Sequence, residues 1–110
     1  MKKPLQILFL GVEPSPAVED AARRKADKLD QFCPDVMSCR VTIEQVNKHP
    51  HQGRLYAVRL DVTVPSRELA MDRVQHEDVY VALRDAFDGM NRILSETARR
   101  RRGEEKHHEA

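Results

Sequence analysis

The chain has 110 residues, of which 40% are hydrophobic and 34% are charged. This is enough for one domain with a modest core, and it excludes both a two-domain protein and a disordered chain. Nineteen Lys and Arg against 18 Asp and Glu leave a net charge of +1, so a segregation of charge, and not its total, is needed to indicate nucleic-acid binding.

The first third of the chain predicts a strand followed by a helix. In residues 4–10 the side chains alternate, which predicts a strand with Leu5, Ile7 and Phe9 on its buried face. Ser15 can cap a helix and Pro16 suits the first helical position, so a helix is predicted over 16–32. Its apolar stripe consists of Val18, Ala22, Ala26, Leu29 and Phe32.

Three further strands and a long helix complete the pattern. Alternating apolar side chains predict strands over about 37–44, 55–64 and 68–74, and the last of these has the weakest pattern. An amphipathic helix is predicted from about 77 to 100, because Glu77 and Asp78 suit a helix N-terminus and an apolar stripe follows them. We expect residues 1–102 to form the single domain and 103–110 to form a flexible polar tail.

The element order β-α-β-β-β-α predicts an α+β fold. Strands with one apolar face and helices with one apolar stripe bury these surfaces against each other. We therefore expect a two-layer sandwich, in which a four-stranded sheet carries both helices on one face. No apolar run reaches the roughly 18 residues of a membrane span, so a cytoplasmic protein with no membrane contact is expected.

Basic residues gather on one flank of the first predicted helix. Arg24 and Lys28 are four residues apart and lie beside Lys25, so they form a ridge that could contact phosphate groups. The alternative is a solvated surface with salt bridges such as Arg23 to Asp27, which contribute only a few tenths of a kcal/mol.

The second predicted helix is more basic than the first. Residues 84–102 contain six Arg and three acidic residues, and four of the Arg are consecutive at 99–102. A planar guanidinium binds phosphate with two hydrogen bonds, and each neutralised phosphate releases counterions. This composition favours contact with an RNA backbone, and a helix end that serves only solubility is the alternative.

Catalytic and metal-binding motifs are not found. The sequence has no GxSxG, HExxH or Gly-rich phosphate loop, so no catalytic residue, cofactor or small-molecule substrate is expected. Cys33 and Cys39 lack CxxC spacing and are interpreted as free thiols in a reducing compartment. His49-Pro-His51 has no regular ligand spacing, so no metal site is predicted. A metal-dependent or thiol enzyme built on these four residues is the weakest alternative.

The aromatic residues do not suggest base recognition. Phe9, Phe32 and Phe87 all fall on predicted core stripes, and only two Tyr remain. Aromatic stacking on unpaired bases is therefore disfavoured, and recognition of RNA through its shape and backbone is favoured.

Three segments carry a resemblance to a known family. They are Leu5-Gln6-Ile7, Lys25-Ala26-Asp27-Lys28-Leu29 and Glu77-Asp78-Val79-Tyr80-Val81-Ala82-Leu83-Arg84-Asp85-Ala86-Phe87. Together with the element order, and over residues 5–102, the chain resembles the short form of the hibernation-promoting factors and ribosome-associated inhibitors, also called sigma-54 modulation proteins. The third segment is the most specific of the three.

The resemblance implies a partner and a mode of action. It implies a ribosome hibernation factor that binds the small ribosomal subunit near the decoding centre through basic residues of both helices, and that inhibits translation by blocking messenger and transfer RNA. A protein that is monomeric when free is expected. Lys25, Lys28, Arg92 and Arg100 match basic positions of the family. With the charge patterns above, the expected rRNA-binding residues are Arg24, Lys25, Lys28, Arg84, Arg92, Arg99, Arg100 and Arg102.

The chain departs from the family's pattern in two ways. Glu96 and Ala98 stand where relatives often carry Lys, and the basic charge is concentrated later, at 99–102. The additional C-terminal domain with which long members pair two ribosomes has no counterpart in this sequence, so ribosome dimerisation by this chain alone is not expected. The alternative function is a general double-stranded RNA-binding module, which can also pack two helices on one side of an antiparallel sheet.

Overall fold

The computed structural model describes residues 1–46 and 53–108, and it describes side chains as far as Arg100. Six elements follow each other in the predicted order β-α-β-β-β-α. They are β1 (Gln6–Leu10), α1 (Pro16–Phe32), β2 (Ser38–Gln45), β3 (Tyr56–Val64), β4 (Arg67–His76) and α2 (Val79–His108). The α+β fold class predicted from the sequence is confirmed.

The four strands form one mixed sheet in the order β1-β2-β3-β4. β1 pairs in parallel with β2, whereas the β2/β3 and β3/β4 pairs are antiparallel. Parallel neighbours need a long crossover connection, and α1 lies in the connection between β1 and β2.

One face of the sheet is buried and carries the core. Val41 of β2 and Leu60 of β3 are fully buried register partners, whereas Arg40 and Arg59, each one residue away, are exposed on the opposite face. The helices cover the buried face with their apolar side chains, among them Leu29 of α1. The largest fully buried side chains are Leu29, Ile43, Leu60, Leu83, Met90, Val36, Val41, Val58 and Val62. The sandwich therefore has one apolar interface, and the outer sheet face is polar on β2 and β3 but carries the exposed Leu8 and Leu10 on β1.

Local chemistry fixes both ends of α1, and its predicted bounds are confirmed. The backbone N–H of Val18 donates to Ser15 Oγ at 3.3 Å, which satisfies one of the free donors of the first turn. At the other end the backbone N–H of Cys33 donates to Leu29 O at 2.8 Å. Pro34 follows and does not permit the helix to continue.

A β-bulge explains why the pattern of β4 is weak in the sequence. The register passes from Leu60↔Met71 to Val58↔Val74, so two residues of β4 lie opposite one residue of β3. Arg73 has a φ of 53°, in the left-handed region. The extra residue shifts the alternation, and Val74 thereby returns to the core side of the sheet.

Several predicted boundaries differ from the structure. β4 runs from Arg67 to His76 and not from 68 to 74, and α2 begins at Val79 and not near 77. β1 begins at Gln6 and not at residue 4, because Pro4 has no N–H to donate to a strand ladder. α2 ends at His108 and not near residue 100, so residues 103–108 of the expected tail are helical. The Arg, Glu and Lys of this segment favour a helix, and a single Gly103 costs only about 1 kcal/mol.

Candidate nucleic-acid interface

The two helices lie side by side and run in the same direction. Val18 in the first turn of α1 and Val79 at the start of α2 border one depression. Phe32 at the end of α1 borders another with Leu94 and Ala98 of α2. The surface between the helices, on the side away from the sheet, is called the interhelical groove below.

The basic residues of α1 lie along the interhelical groove. Lys25 and Lys28 precede Phe32 by seven and four residues, so the three side chains share the flank that faces α2. Arg24 is one turn before Lys28. Arg24, Lys25 and Lys28 border a shallow depression together with Ala21 and Asp27. The three basic residues therefore lie together as a ridge, and Asp27 adds one carboxylate at its margin.

A polar flank of α2 faces this ridge. Ser95 borders the groove beside Phe32, and Arg84 and Asn91 lie on the same flank because they precede Ser95 by eleven and four residues. Asn91 Oδ1 is buried and has no hydrogen-bond partner among the described residues. The side chain of Arg102 lies outside the described part of the chain.

The remaining arginines of α2 divide between two flanks. Arg99 borders the groove with Phe32, and Arg92 lies two turns before it on the outward surface. Arg100 follows Gly89 by eleven residues, and a Cβ built on Gly89 would lie 2.4 Å from Met71 Cε of β4. Arg100 therefore lies on the β4 side of α2, and the structure does not bring it to the groove.

The cations of the helix layer are largely unpaired. Of the predicted site residues whose side chains are described, Arg84 alone forms an ion pair, with Asp85 at 3.2 Å. The salt bridge considered between Arg23 and Asp27 is not formed in the described structure. A guanidinium or ammonium group without an internal partner is available to an RNA phosphate.

On the outer sheet face, two arginines already have partners. Arg59 pairs with Asp61 and Asp72, each at 3.0 Å, and the pKa of Arg59 is raised by its hydrogen bond to Asp61 and by the charges of both carboxylates. Arg40 Nε donates to Gln6 Oε1 at 3.0 Å. This difference identifies the helix layer as the candidate interface.

Phe32 corrects a prediction made from the sequence. It was placed on the core stripe of the first helix, yet 57% of its surface is exposed. The reason is its position in the last residue of α1, where it faces Ser95 and Ala98 of α2, whose small side chains leave it uncovered. The spacing did not reveal this exposure, because residues three apart share a face of a helix and Leu29 is buried.

The described residues hold little that suggests other chemistry. Cys39 is buried, and burial, with a smaller contribution from Asp61, raises the pKa of its thiol to about 12. Among the described side chains, no three His, Cys, Asp or Glu are grouped as metal ligands. His49 and His51 lie outside the described residues. No helix in the described part is long and apolar enough to cross a membrane.

Comparisons with known proteins agree with this fold. The family model described as sigma 54 modulation protein / S30EA ribosomal protein matches residues 5–102. The chain is similar to the solved structure of a ribosomal subunit interface protein from Coxiella burnetii, with a TM-score of 0.73 and 17% identity, covering 86% of this chain and 96% of that one. It is also similar to the Protein Y N-terminal domain of Thermus thermophilus, with a TM-score of 0.70 and 18% identity, covering 86% of this chain and 99% of that one. A search of curated proteins found no match.

Proposed function

The chain belongs to the sigma 54 modulation protein / S30EA ribosomal protein family, and from this membership we propose that it is a cytoplasmic hibernation factor that binds the small ribosomal subunit. This membership confirms the resemblance that the sequence indicated, and the family is ribosome-associated. The proposal adds a site near the decoding centre, where the bound protein excludes messenger and transfer RNA. The observation that carries the proposal is the row of unpaired cations along the interhelical groove.

The proposed contact is electrostatic and involves no chemical step. Arg24, Lys28 and Arg99 are exposed and have no ion pair among the described residues, so they can exchange solvent counterions for phosphate oxygens. Lys25 is half-buried and extends its ammonium group from the same flank. Translation stops in this proposal because a folded monomer fills space that the two RNAs require.

The eight predicted contact residues differ in their position relative to the groove and in their ion pairing. Arg24, Lys25, Lys28 and Arg99 border the groove or the depression beside it. Arg84 is paired with Asp85, so it can contact a phosphate only when this ion pair breaks. Arg92, Arg100 and Arg102 remain proposed contacts at the periphery, as three of the eight predicted residues.

Co-sedimentation with purified small subunits tests the proposal. We compare the wild type with an Arg24→Glu, Lys28→Glu variant, and with a matched Arg40→Glu, Arg67→Glu variant that changes the net charge equally on β2 and β4. Loss of binding in the first variant alone, together with weaker wild-type binding at high salt, is the expected result. Equal loss in both variants would indicate unspecific charge attraction, and no wild-type binding at low salt would refute the proposal.

The same experiment separates the proposal from a general double-stranded RNA-binding module. An excess of an unrelated RNA duplex is added as competitor before sedimentation. A hibernation factor stays on the subunits, because its site is built from ribosomal RNA of one shape. A general module recognises duplex shape and is displaced, and displacement would favour that alternative.

A further inference from the structure

The structure points to Phe32 as a base-stacking residue, and we propose that it holds one unpaired base of the bound RNA. The inference rests on the proposed function, because it requires an RNA partner on the helix layer. It goes beyond that proposal by adding an aromatic contact to a surface otherwise described by charge, and by naming the class of group it receives: an unpaired nucleobase in a loop, bulge or junction.

The position of Phe32 suits a planar ligand. Phe32 is 57% exposed, and it stands at one wall of a depression of about 300 Å³. The rest of the lining is mixed, with Leu94 and Ala98 of α2 beside the polar Ser95 and Arg99. Cys33 packs against the core and Pro34 ends the helix, so the backbone that carries the ring is held in place. A base that entered here would find an aromatic ring beside a shallow surface that includes Leu94 and Ala98.

Cations flank the ring and would hold the phosphates on either side of the stacked base. Lys28 lies one turn before Phe32 on α1, and Arg99 borders the same depression from α2. Neither side chain forms an ion pair among the described residues. An aromatic face beside phosphate-binding cations is the arrangement with which proteins bind unpaired nucleotides.

Exposure alone would not carry this inference, because single exposed apolar residues are common. Leu10 provides the comparison. It is 49% exposed, but it lies on β1 and pairs with Glu44 of β2 on the sheet face opposite the helices. Leu10 is therefore a control for an exposed apolar residue outside the helix layer.

Affinity for small subunits is the first measurement. We expect Phe32→Leu to weaken binding roughly tenfold, which is the scale of one stacked base, and Phe32→Tyr to bind like the wild type. The dependence of affinity on salt should not change, since no phosphate contact is removed. Leu10→Ala should bind normally. Wild-type affinity for the Phe32→Leu variant would overturn the inference and leave the proposed function intact, whereas absence of wild-type binding would refute the proposed function itself.

Fluorescence provides a second test that does not depend on a loss of affinity. The chain contains no Trp, so Phe32→Trp introduces a single indole at the proposed stacking position. Stacking on a base should quench its emission when small subunits are added. Leu10→Trp is the control, because Leu10 is exposed on the opposite layer, and its emission should change little. Equal responses of the two variants in binding-competent protein would overturn the inference.

Discussion

At the scale of single residues, Cys39 shows how burial makes a thiol unreactive. Its side chain lies on the core face of β2 and is 3% exposed. Burial disfavours the charged thiolate, and the nearby Asp61 carboxylate adds to the effect, so that the pKa rises to about 12. A nucleophilic cysteine requires the thiolate at neutral pH, and Cys39 is therefore a packing residue. This weakens the interpretation of the chain as a thiol enzyme.

The same shift predicts how stability depends on pH. The unfolded thiol ionises above about 9, the usual value, whereas the folded thiol stays protonated until about 12. Between these values the unfolded state has lost the proton that the folded state keeps, so the free energy of unfolding falls as pH rises, by up to about 1.4 kcal/mol per pH unit. The contribution is fully present below about 9.

Urea unfolding of the wild type and of Cys39→Ala across this pH range checks the prediction. Cys39→Ala should be less stable at neutral pH but should lose less stability as the pH is raised. Cys33→Ala is the control and should retain the wild-type pH dependence. Parallel pH profiles for the wild type and Cys39→Ala would contradict the assignment of this effect to the buried thiol.

At the scale of elements, the bulge in β4 places an unfavourable residue at a defined point. Arg73 adopts a φ of 53°, which costs an L-residue about 1–2 kcal/mol. Glycine avoids this cost but adds backbone entropy of about 0.5–1 kcal/mol to the unfolded chain. We therefore expect Arg73→Gly to stabilise the protein by roughly 0.5–1 kcal/mol.

Thermal and urea unfolding measure this change, with Gln75→Gly as the control. Gln75 pairs with Ala57 in the regular part of β4, so glycine there brings only the entropic cost and should destabilise. If both variants lost the same stability, the backbone of Arg73 would not be the source of strain.

The elements also show what could be predicted from the sequence. The bounds of α1 were predictable because Ser15, Pro16 and Pro34 are local signals. The end of α2 was not, because Arg99 to Arg102 followed by Gly103 is the pattern of a helix C-terminus, and yet α2 continues to His108. Phe32 was wrongly predicted to be buried for a different reason. The side chains of Ser95 and Ala98 across the groove are too small to cover it. Periodicity identifies the flank of a helix, but only the neighbouring helix decides whether that flank is covered.

At the scale of the whole molecule, a net charge of +1 is compatible with RNA binding because the two layers use their charges differently. On the sheet layer Arg59 is neutralised by Asp61 and Asp72. On the helix layer Arg24, Lys28 and Arg99 have no ion pair among the described residues. The sequence predicted the basic ridges but could not predict this division, since pairing between strands depends on register.

Salt dependence of binding tests the division directly. Each phosphate contact contributes about 0.7–0.9 to the slope of log affinity against log salt. Replacing a phosphate-binding cation by Ala should therefore reduce the magnitude of the slope by nearly one. We expect this for Arg24→Ala, Lys28→Ala and Arg99→Ala when binding to small subunits is measured over a range of salt concentrations.

Arg59→Ala is the decisive control, because it removes the same positive charge from the opposite layer. Arg59 already has two carboxylate partners, so its loss releases no additional counterions on binding and should leave the slope unchanged. If binding were due to attraction by the charge of the whole molecule, all four substitutions would weaken binding in the same way. A reduced slope for the three helix-layer variants alone would instead show that local, unpaired cations form the contact.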